Sequence, residues 1–282
     1  VDITNYILHS FGQPMHAFDY DEIKSKKIKV QFLKEGTKFS TLDGVERKLK
    51  NEDLMICDNK NPLCIAGVLG GESSEVKNKT KNIFLESAYF NPKLVRKSSQ
   101  NHQISTDASF RFERGTDPNI TVYSLKIAAK MIKELSGGKI ASKIIDIYPK
   151  KIKNTVLKLD INRVNKLIGV SIPKKEIIKI LNSLEINSKN ISDSLIELSI
   201  PPYRTDVKRE ADIVEEILRI YGYNNINLSK HLGSEFLSKP SKSKIKEDFV
   251  KNIINLLISN GYYEITTNSL TSIRFVENEK LW

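Results

Sequence analysis

The feature that most constrains this chain is the stretch from 83 to 118, which mixes apolar runs with many polar and small residues. An apolar run, Ile83 to Leu85, leads into the lone carboxylate of Glu86, and further apolar side chains follow it. A carboxylate held among apolar groups needs a partner, because burying it unpaired costs several kcal/mol. The segment from Ser105 to Ser109 offers hydroxyls and backbone donors with little bulk, in what we expect to be a turn. Together these features suit a pocket that contacts a small ligand.

A purely structural interpretation of the same stretch stays open. In it, Asp107 caps a helix and Glu86 forms an ion pair with Arg111 or Arg114. Spacing alone does not separate the two interpretations.

Charge and composition narrow the protein class. No apolar run approaches the roughly 20 residues that a membrane helix requires. The net charge of +11 is compatible with a nucleic-acid partner, although the excess is mostly Lys spread along the chain. Cys57 and Cys64 fit no metal-binding spacing and lie in apolar runs, which predicts buried thiols in a cytoplasmic protein. The chain opens with Val1 and shows no signal peptide, so we expect a segment of a longer protein.

Hydrophobic patterns predict a first domain at 1–150, with a mixed, mostly antiparallel sheet. An Asp-Gly pair at 43–44 predicts a hairpin. The expected strands are 2–9, 27–33, 54–57, 64–68, 83–85 and a closing strand at 139–148, and the expected helices are 92–100 and 120–135. His16 falls in an expected loop at 12–19, where it is either an ordinary core group or, if it converges with Glu86, part of a site. The glycine pair at 70–71 indicates either a tight turn or a close approach of the backbone to a ligand.

The second part of the chain follows a different pattern. The hydrophobic pattern of 151–226 predicts a strand, two helices, a strand and a third helix in that order. This order predicts a small winged-helix-like α+β module. A polar linker is expected at 227–244, and a helix at 245–260 followed by a strand at 262–267 begins a third domain at 245–282. The fold class is therefore α+β.

An acidic cluster marks the last helix of this module. Asp212, Glu215 and Glu216 share one helical face, and Asp206 lies near the start of the helix. Clustered carboxylates repel one another unless cations intervene, and Mg2+ prefers such oxygen ligands. The alternative is a solvated acidic face paired with Lys208 and Arg209.

Several long motifs in one order resemble the beta subunit of bacterial phenylalanyl-tRNA synthetase over essentially the whole chain. These motifs are Gly-Gln-Pro-Met-His-Ala-Phe-Asp at 12–19, Gly-Gly-Glu at 70–72, Leu-Glu-Ser-Ala-Tyr-Phe at 85–90, Ser-Thr-Asp-Ala-Ser-Phe-Arg-Phe-Glu-Arg-Gly at 105–115, and Tyr-Arg-Thr-Asp through Ile-Tyr-Gly-Tyr at 203–223. The resemblance places the chain from within the tRNA-editing domain, through the winged-helix-like module, to the start of the catalytic-like domain.

The resemblance implies an editing hydrolase that removes tyrosine wrongly attached to tRNA(Phe). In it Glu86 accepts the para-hydroxyl group of tyrosine, and His16 and Thr106 line the pocket. No familiar hydrolase spacing is present, so our own hypothesis is that Thr106 helps to orient an attacking water and that His16 is a candidate general base. The remaining pocket residues that the resemblance implies are Thr4, Asn5, Gly70 and Ala108. The implied Mg2+ ligands, shared with the alpha subunit, are Asp206, Asp212, Glu215 and Glu216.

The same resemblance implies a cytoplasmic heterotetramer of two alpha and two beta subunits. The alpha subunit then carries ATP-dependent aminoacylation of tRNA(Phe), so this segment neither binds ATP nor charges tRNA by itself. Two alternatives of other classes stay open: a nucleic-acid-binding module without chemistry, and a structural interface segment. The carboxylates of the last module helix argue against a groove-reading role, which requires Arg, Lys or Asn.

Overall fold

The computed structural model describes residues 1–59, 61–227, 241–270 and 272–273. The chain forms two compact units, Val1–Ile226 and Asn227–Trp282. The helices are α1 (Asp2–Phe11), α2 (Pro92–His102), α3 (Asp107–Arg114), α4 (Thr121–Ser136), α5 (Ile161–Ile168), α6 (Lys174–Ser183), α7 (Glu210–Tyr221) and α8 (Lys242–Ser259). The strands are β1 (Met15–Asp19), β2 (Ile28–Phe32), β3 (Lys38–Ser40), β4 (Glu46–Lys48), β5 (Leu54–Asp58), β6 (Asn61–Ile65), β7 (Leu69–Gly70), β8 (Ile83–Ser87), β9 (Thr155–Asp160), β10 (Asn187–Asn190) and β11 (Leu195–Ile200).

The first element is a helix, so the predicted strand at 2–9 is wrong. Ile7 and Leu8 are buried on one side of α1, and with Ile3 they follow a helical rather than an alternating period. Gly12 ends the helix with a φ of 69°, a left-handed conformation that glycine adopts without strain. The strand begins only at Met15, inside the region predicted as a loop.

The predicted antiparallel character of the first half is confirmed. Strands β2, β5, β6 and β7 form one antiparallel sheet in that order, and β1 pairs with β8 in a separate ladder. The hairpin predicted at Asp43-Gly44 joins β3 to β4. The core that these elements enclose consists of Phe18, Ile23, Phe39, Leu49, Met55, Ile56, Cys57, Leu63, Cys64, Ile65, Ala66, Val68, Phe90, Val95, Ile104 and Phe112. Both cysteines are free and buried, as predicted.

The turn predicted at 105–109 is instead the start of α3. Thr106 is its N-cap and accepts a hydrogen bond from the backbone N–H of Ser109, while the Ser109 hydroxyl accepts one from the Thr106 N–H. This reciprocal pair satisfies two backbone donors that a helix start otherwise leaves unpaired. The cap is therefore Thr106 and not Asp107.

The helices predicted at 92–100 and 120–135 are confirmed as α2 and α4. The closing strand predicted at 139–148 is wrong, because these residues form no strand and lie mostly exposed. Ile145 and Ile147 are each 81% exposed, so no neighbouring strand covers them.

Residues 155–226 confirm the predicted order of strand, helix, helix, strand and helix, with β10 as a further short strand. Strands β10, β11 and β9 form an antiparallel sheet in that order. The core beneath it consists of Leu159, Ile161, Val164, Ile168, Ile172, Ile177, Ile180, Leu181, Ile186, Ile196, Leu198, Ile200, Val207, Ile213, Val214 and Ile217. The two cores belong to one compact unit, so the division near residue 150 stays a prediction.

The two halves of this unit touch at a tight contact. The Thr205 hydroxyl donates to the carbonyl oxygen of Arg114 at 3.1 Å, at the end of α3. The methyl group of Thr205 also packs on Gly115, where an added Cβ would lie only 2.6 Å away.

In the second unit, α8 confirms the helix predicted at 245–260. The strand predicted at 262–267 is wrong, since these residues are extended without strand pairing. Most of the linker predicted at 227–244 lies outside the described residues. Within the described part of the chain, no helix has the length and apolar character needed to cross a membrane.

Candidate active site

The β1–β8 ladder brings together two residues that are 70 positions apart in the sequence. His16 and Glu86 are directly opposite each other in the antiparallel register. Opposite residues of a ladder project from the same face of the sheet, so the imidazole and the carboxyl group lie side by side on one face, which we call the recess. Phe18 and Phe84, the next pair on that face, wall it with aromatic rings.

Among the described residues, no opposite charge pairs with the Glu86 carboxyl group. Burial raises its pKa to about 8, and neither a hydrogen bond nor a neighbouring cation offsets the shift. Arg111 instead pairs with Asp107, and Arg114 pairs with Glu113. The structural interpretation in which Glu86 bridges to either arginine is therefore wrong. At neutral pH Glu86 is mainly protonated, so its carboxyl group offers one donor and one acceptor.

His16 is also uncharged near neutral pH, because burial lowers its pKa to about 4. Its ring packs edge-on against Phe18, with the ring centroids 4.5 Å apart. On another side it meets Gly70, where an added Cβ would lie 2.6 Å from His16 Cε1. Of the two interpretations of the glycine pair, Gly70 thus provides a close approach, here to His16.

We expect Gly70→Ala to displace the His16 ring. A Cβ at 2.6 Å cannot be accommodated without movement, and both groups lie in a packed interior. The variant should lose about 1–3 kcal/mol of unfolding free energy. Urea unfolding measures this loss. Gly138→Ala is the matched control because its Cβ meets only the flexible Ser136 hydroxyl, at 3.4 Å; equal stability of the two variants would contradict the contact.

Thr106 and Ala108 lie at the start of α3. The Thr106 hydroxyl donates to the carbonyl oxygen of Val68 at 2.9 Å, two residues before Gly70. Its single proton is therefore already used, and its oxygen already accepts the Ser109 N–H, so one lone pair remains to accept a hydrogen bond from a water molecule. Ala108 packs on the first core and adds little bulk.

Thr4 and Asn5 lie on the first turns of α1. The Thr4 hydroxyl donates to the Val1 carbonyl oxygen at 2.7 Å, and the Asn5 side chain is exposed. The structure thus brings His16, Gly70 and Glu86 into contact range, links Thr106 to them through Val68, and leaves Thr4 and Asn5 on a neighbouring helix.

Sequence reasoning missed Gln13. Its side chain is fully buried, and its amide nitrogen donates to the carbonyl oxygens of Pro14 and Ala88, each at 2.9 Å. These bonds tie the start of β1 to the end of β8 and support the register that opposes His16 to Glu86. A polar residue before a proline gave only a weak signal for this role.

Three of the four predicted Mg2+ ligands, Asp206, Asp212 and Glu216, are engaged with cations or backbone donors of this chain. Arg204 binds both oxygens of Asp206, at 3.2 and 2.9 Å, and one oxygen of Glu216 at 2.8 Å. Arg219 binds both oxygens of Glu216, at 3.2 and 2.9 Å. The Arg219 hydrogen bond is the main cause that lowers the pKa of Glu216, and the Arg204 hydrogen bond lowers that of Asp206.

The other two carboxylates do not complete a metal site. Asp212 accepts from the backbone N–H groups of Lys208 and Arg209 at 2.9 and 2.8 Å, which lowers its pKa and caps α7. Glu215 is exposed on the same helix. Across the described ranges, no three His, Cys, Asp or Glu side chains converge as metal ligands. In this arrangement the four residues do not fit a Mg2+ ion, and the metal site stays a prediction.

Comparison with known proteins identifies two domain families. Residues 1–137 match the B3/4 domain model, and residues 157–223 match the tRNA synthetase B5 domain model. The phenylalanine–tRNA ligase beta subunit of Bacteroides fragilis (strain YCH46) is 47% identical over 278 residues, which cover 98% of this chain and 34% of that protein. The corresponding protein of Porphyromonas gingivalis is 46% identical over 281 residues, which cover 99% of this chain and 34% of that protein.

A solved structure is also similar, at a lower level. It is an N-terminal fragment of the phenylalanyl-tRNA synthetase beta subunit from Pyrococcus horikoshii. Its sequence is 20% identical and its TM-score is 0.41, and the match covers 78% of this chain and 64% of that one. A similarity this low supports no argument. The chain spans about a third of the length of the curated relatives it matches.

Proposed function

The chain belongs to the phenylalanine–tRNA ligase beta-subunit family, of which it spans about a third, and on that premise we propose that its His16–Glu86 recess hydrolyses tyrosine wrongly esterified to tRNA(Phe). The observation that carries the proposal is the Glu86 carboxyl group, buried without a partner and opposite His16. Such a group costs stability, which is consistent with a role in binding.

Discrimination between tyrosine and phenylalanine explains why this group suits an editing site. An apolar synthetic pocket rejects an added hydroxyl only about a hundredfold, so a second site must recognise the hydroxyl itself. Protonated Glu86 can donate to the phenol oxygen and accept its hydrogen. Phenylalanine leaves the carboxyl group unpaired, which costs about 1–3 kcal/mol for a buried polar group.

Hydrolysis requires a water molecule next to the ester. The water oxygen attacks the ester carbonyl carbon, the bond to the ribose oxygen breaks, and the ribose hydroxyl recovers a proton. His16, neutral at pH 7, has a free ring nitrogen lone pair that orients the water. Because its lowered pKa makes it a weak base, we propose that it positions the water.

The decisive measurement is deacylation of tyrosyl-tRNA(Phe) beside phenylalanyl-tRNA(Phe). We expect the wild-type chain to release tyrosine at least tenfold faster than phenylalanine, and Glu86→Ala to lose this selectivity, since about 1.4 kcal/mol corresponds to tenfold. Glu75→Ala is the matched control, because Glu75 is exposed. Unchanged selectivity in Glu86→Ala, in a variant that folds, would contradict the proposal.

The relatives are beta subunits, so we further propose an alpha-subunit partner in a cytoplasmic heterotetramer. Aminoacylation and ATP use belong to the whole enzyme in this proposal. Co-purification of the tagged longer beta subunit with the alpha subunit tests the partnership.

A further inference from the structure

The outward side of α3 combines an exposed aromatic ring with two arginines. Ala108 and Phe112 pack inward on the first core, while Phe110 is 51% exposed. The guanidinium group of Arg114 lies over the Phe110 ring, 3.5 Å from its centroid. The exposed Phe110 ring and the guanidinium group stacked on it present a platform of two planar groups that a flat ligand can stack against.

This platform is linked to the recess through Thr106, whose partner Val68 lies two residues before Gly70, the residue that contacts His16. A shallow cavity of about 340 Å³ is lined by Ser105, Thr106, Asp107, Phe110 and Arg111. Thr106 is the residue whose hydroxyl bonds to Val68, so one wall of the cavity belongs to the candidate site.

The platform also reaches α1. Arg111 Nη2 lies 3.3 Å from His9 Nδ1. His9 lies one helical turn after Asn5, on the same face of α1. A continuous strip therefore runs from the predicted pocket residue Asn5, through His9 and Arg111, to Phe110.

The charges of the strip favour stacking over phosphate binding. Arg111 is paired with Asp107 and Arg114 with Glu113, so each arginine is partly neutralised. Aromatic and guanidinium planes stack on any nucleobase without reading its sequence. The chemistry therefore fits an unpaired nucleotide better than a phosphate-rich duplex.

We propose that the strip of His9, Phe110, Arg111 and Arg114 docks the unpaired 3′ end of the tRNA, with the terminal base stacked beside Phe110. This inference rests on the proposed function, because an amino acid held in the recess is esterified to the last nucleotide of its tRNA. That nucleotide must then lie at the mouth of the recess, next to Thr106.

Binding of uncharged tRNA tests the docking site separately from hydrolysis. The probe is 5′-labelled tRNA(Phe), either intact or lacking its terminal adenosine, titrated by fluorescence anisotropy. We expect the wild-type chain to bind the intact tRNA about tenfold more tightly, the size of one stacked base. Phe110→Ala should abolish the difference, and Phe110→Tyr should retain it.

Phe32→Ala is the matched control, because Phe32 is similarly exposed, at 52%, on the distant strand β2. A wild-type chain that binds both tRNAs equally, or a Phe110→Ala variant that keeps the preference, would overturn the docking site. Failure of the proposed function gives a different result, in which the terminal-adenosine preference is present and tyrosyl-tRNA(Phe) is not deacylated.

Discussion

Glu86→Gln is expected to stabilise the folded chain increasingly as the pH rises from about 4.5 to about 8. Burial raises the pKa of Glu86 from 4.5 to about 8, so between these values the folded state holds a proton that the unfolded state has released. The unfolding free energy of the wild type therefore falls with rising pH across this window. Glutamine does not titrate, so the unfolding free energy of the variant does not fall for this reason.

The size of the effect follows from the pKa shift. The difference between variant and wild type should be near zero below pH 4.5 and reach at most about 5 kcal/mol above pH 8. Partial access of water to the side chain reduces it from that limit. Urea unfolding at pH 4.5, 6.5 and 8.5 measures the difference, with Glu75→Gln as the exposed control. A difference that is flat with pH would show that Glu86 is not the buried acid described above.

This result bears on function as well as on stability. Near neutral pH the Glu86 carboxyl group lowers the unfolding free energy, and glutamine at the same position would not. A destabilising group of this kind is typical of a site where function outweighs stability. Together with the selectivity measurement, the two experiments separate a binding role for Glu86 from a packing role.

Arg204→Met is expected to destabilise the chain by about 3 kcal/mol, because it removes the cation that two carboxylates share. The Arg204 side chain is only 16% exposed and bonds to Asp206 and Glu216. These hydrogen bonds raise the pKa of Arg204, with Asp206 as the main cause. Without Arg204, the buried Glu216 keeps only Arg219, and Asp206 loses its partner.

Urea unfolding at pH 7 measures the loss. Arg163→Met is the matched control, because Arg163 pairs with Glu210 at 3.1 Å but is 67% exposed, and such surface pairs contribute about 0–1 kcal/mol. If both variants lose the same small amount, the Arg204 cluster is an ordinary surface network. A loss confined to Arg204→Met would identify the guanidinium group as the resident cation of the acidic cluster.

The elements with strong local signals were predictable. The capping residue Asn91 followed by Pro92 predicted the start of α2, and Gly137 predicted the end of α4. The Asp-Gly pair predicted the β3–β4 hairpin. In each case the determining contacts lie within a few residues of one another.

The errors arose where tertiary contacts override local preference. The start of the chain has a mixed pattern that a short strand and a helix both fit, and burial of Ile7 and Leu8 on one side decides for a helix. The apolar residues at 139–148 alternate like a strand, but a strand needs a partner and none pairs with them among the described residues.

The sequence by itself determined the order of most elements and the resemblance to the family, whereas the isolation of the Glu86 carboxyl group needed the structure, which pairs Arg111 with Asp107 and Arg114 with Glu113. Only the tertiary structure decided which groups meet: His16 with Glu86, Arg204 with Glu216, and Arg111 with His9. The physical reason is that strand register sets the first of these meetings, and the placement of side chains on separate elements of the fold sets the others. A ladder shifted by one residue would turn His16 to the other face. A carboxylate is neutralised by whichever cation the folded chain places within reach, and linear spacing does not specify that cation.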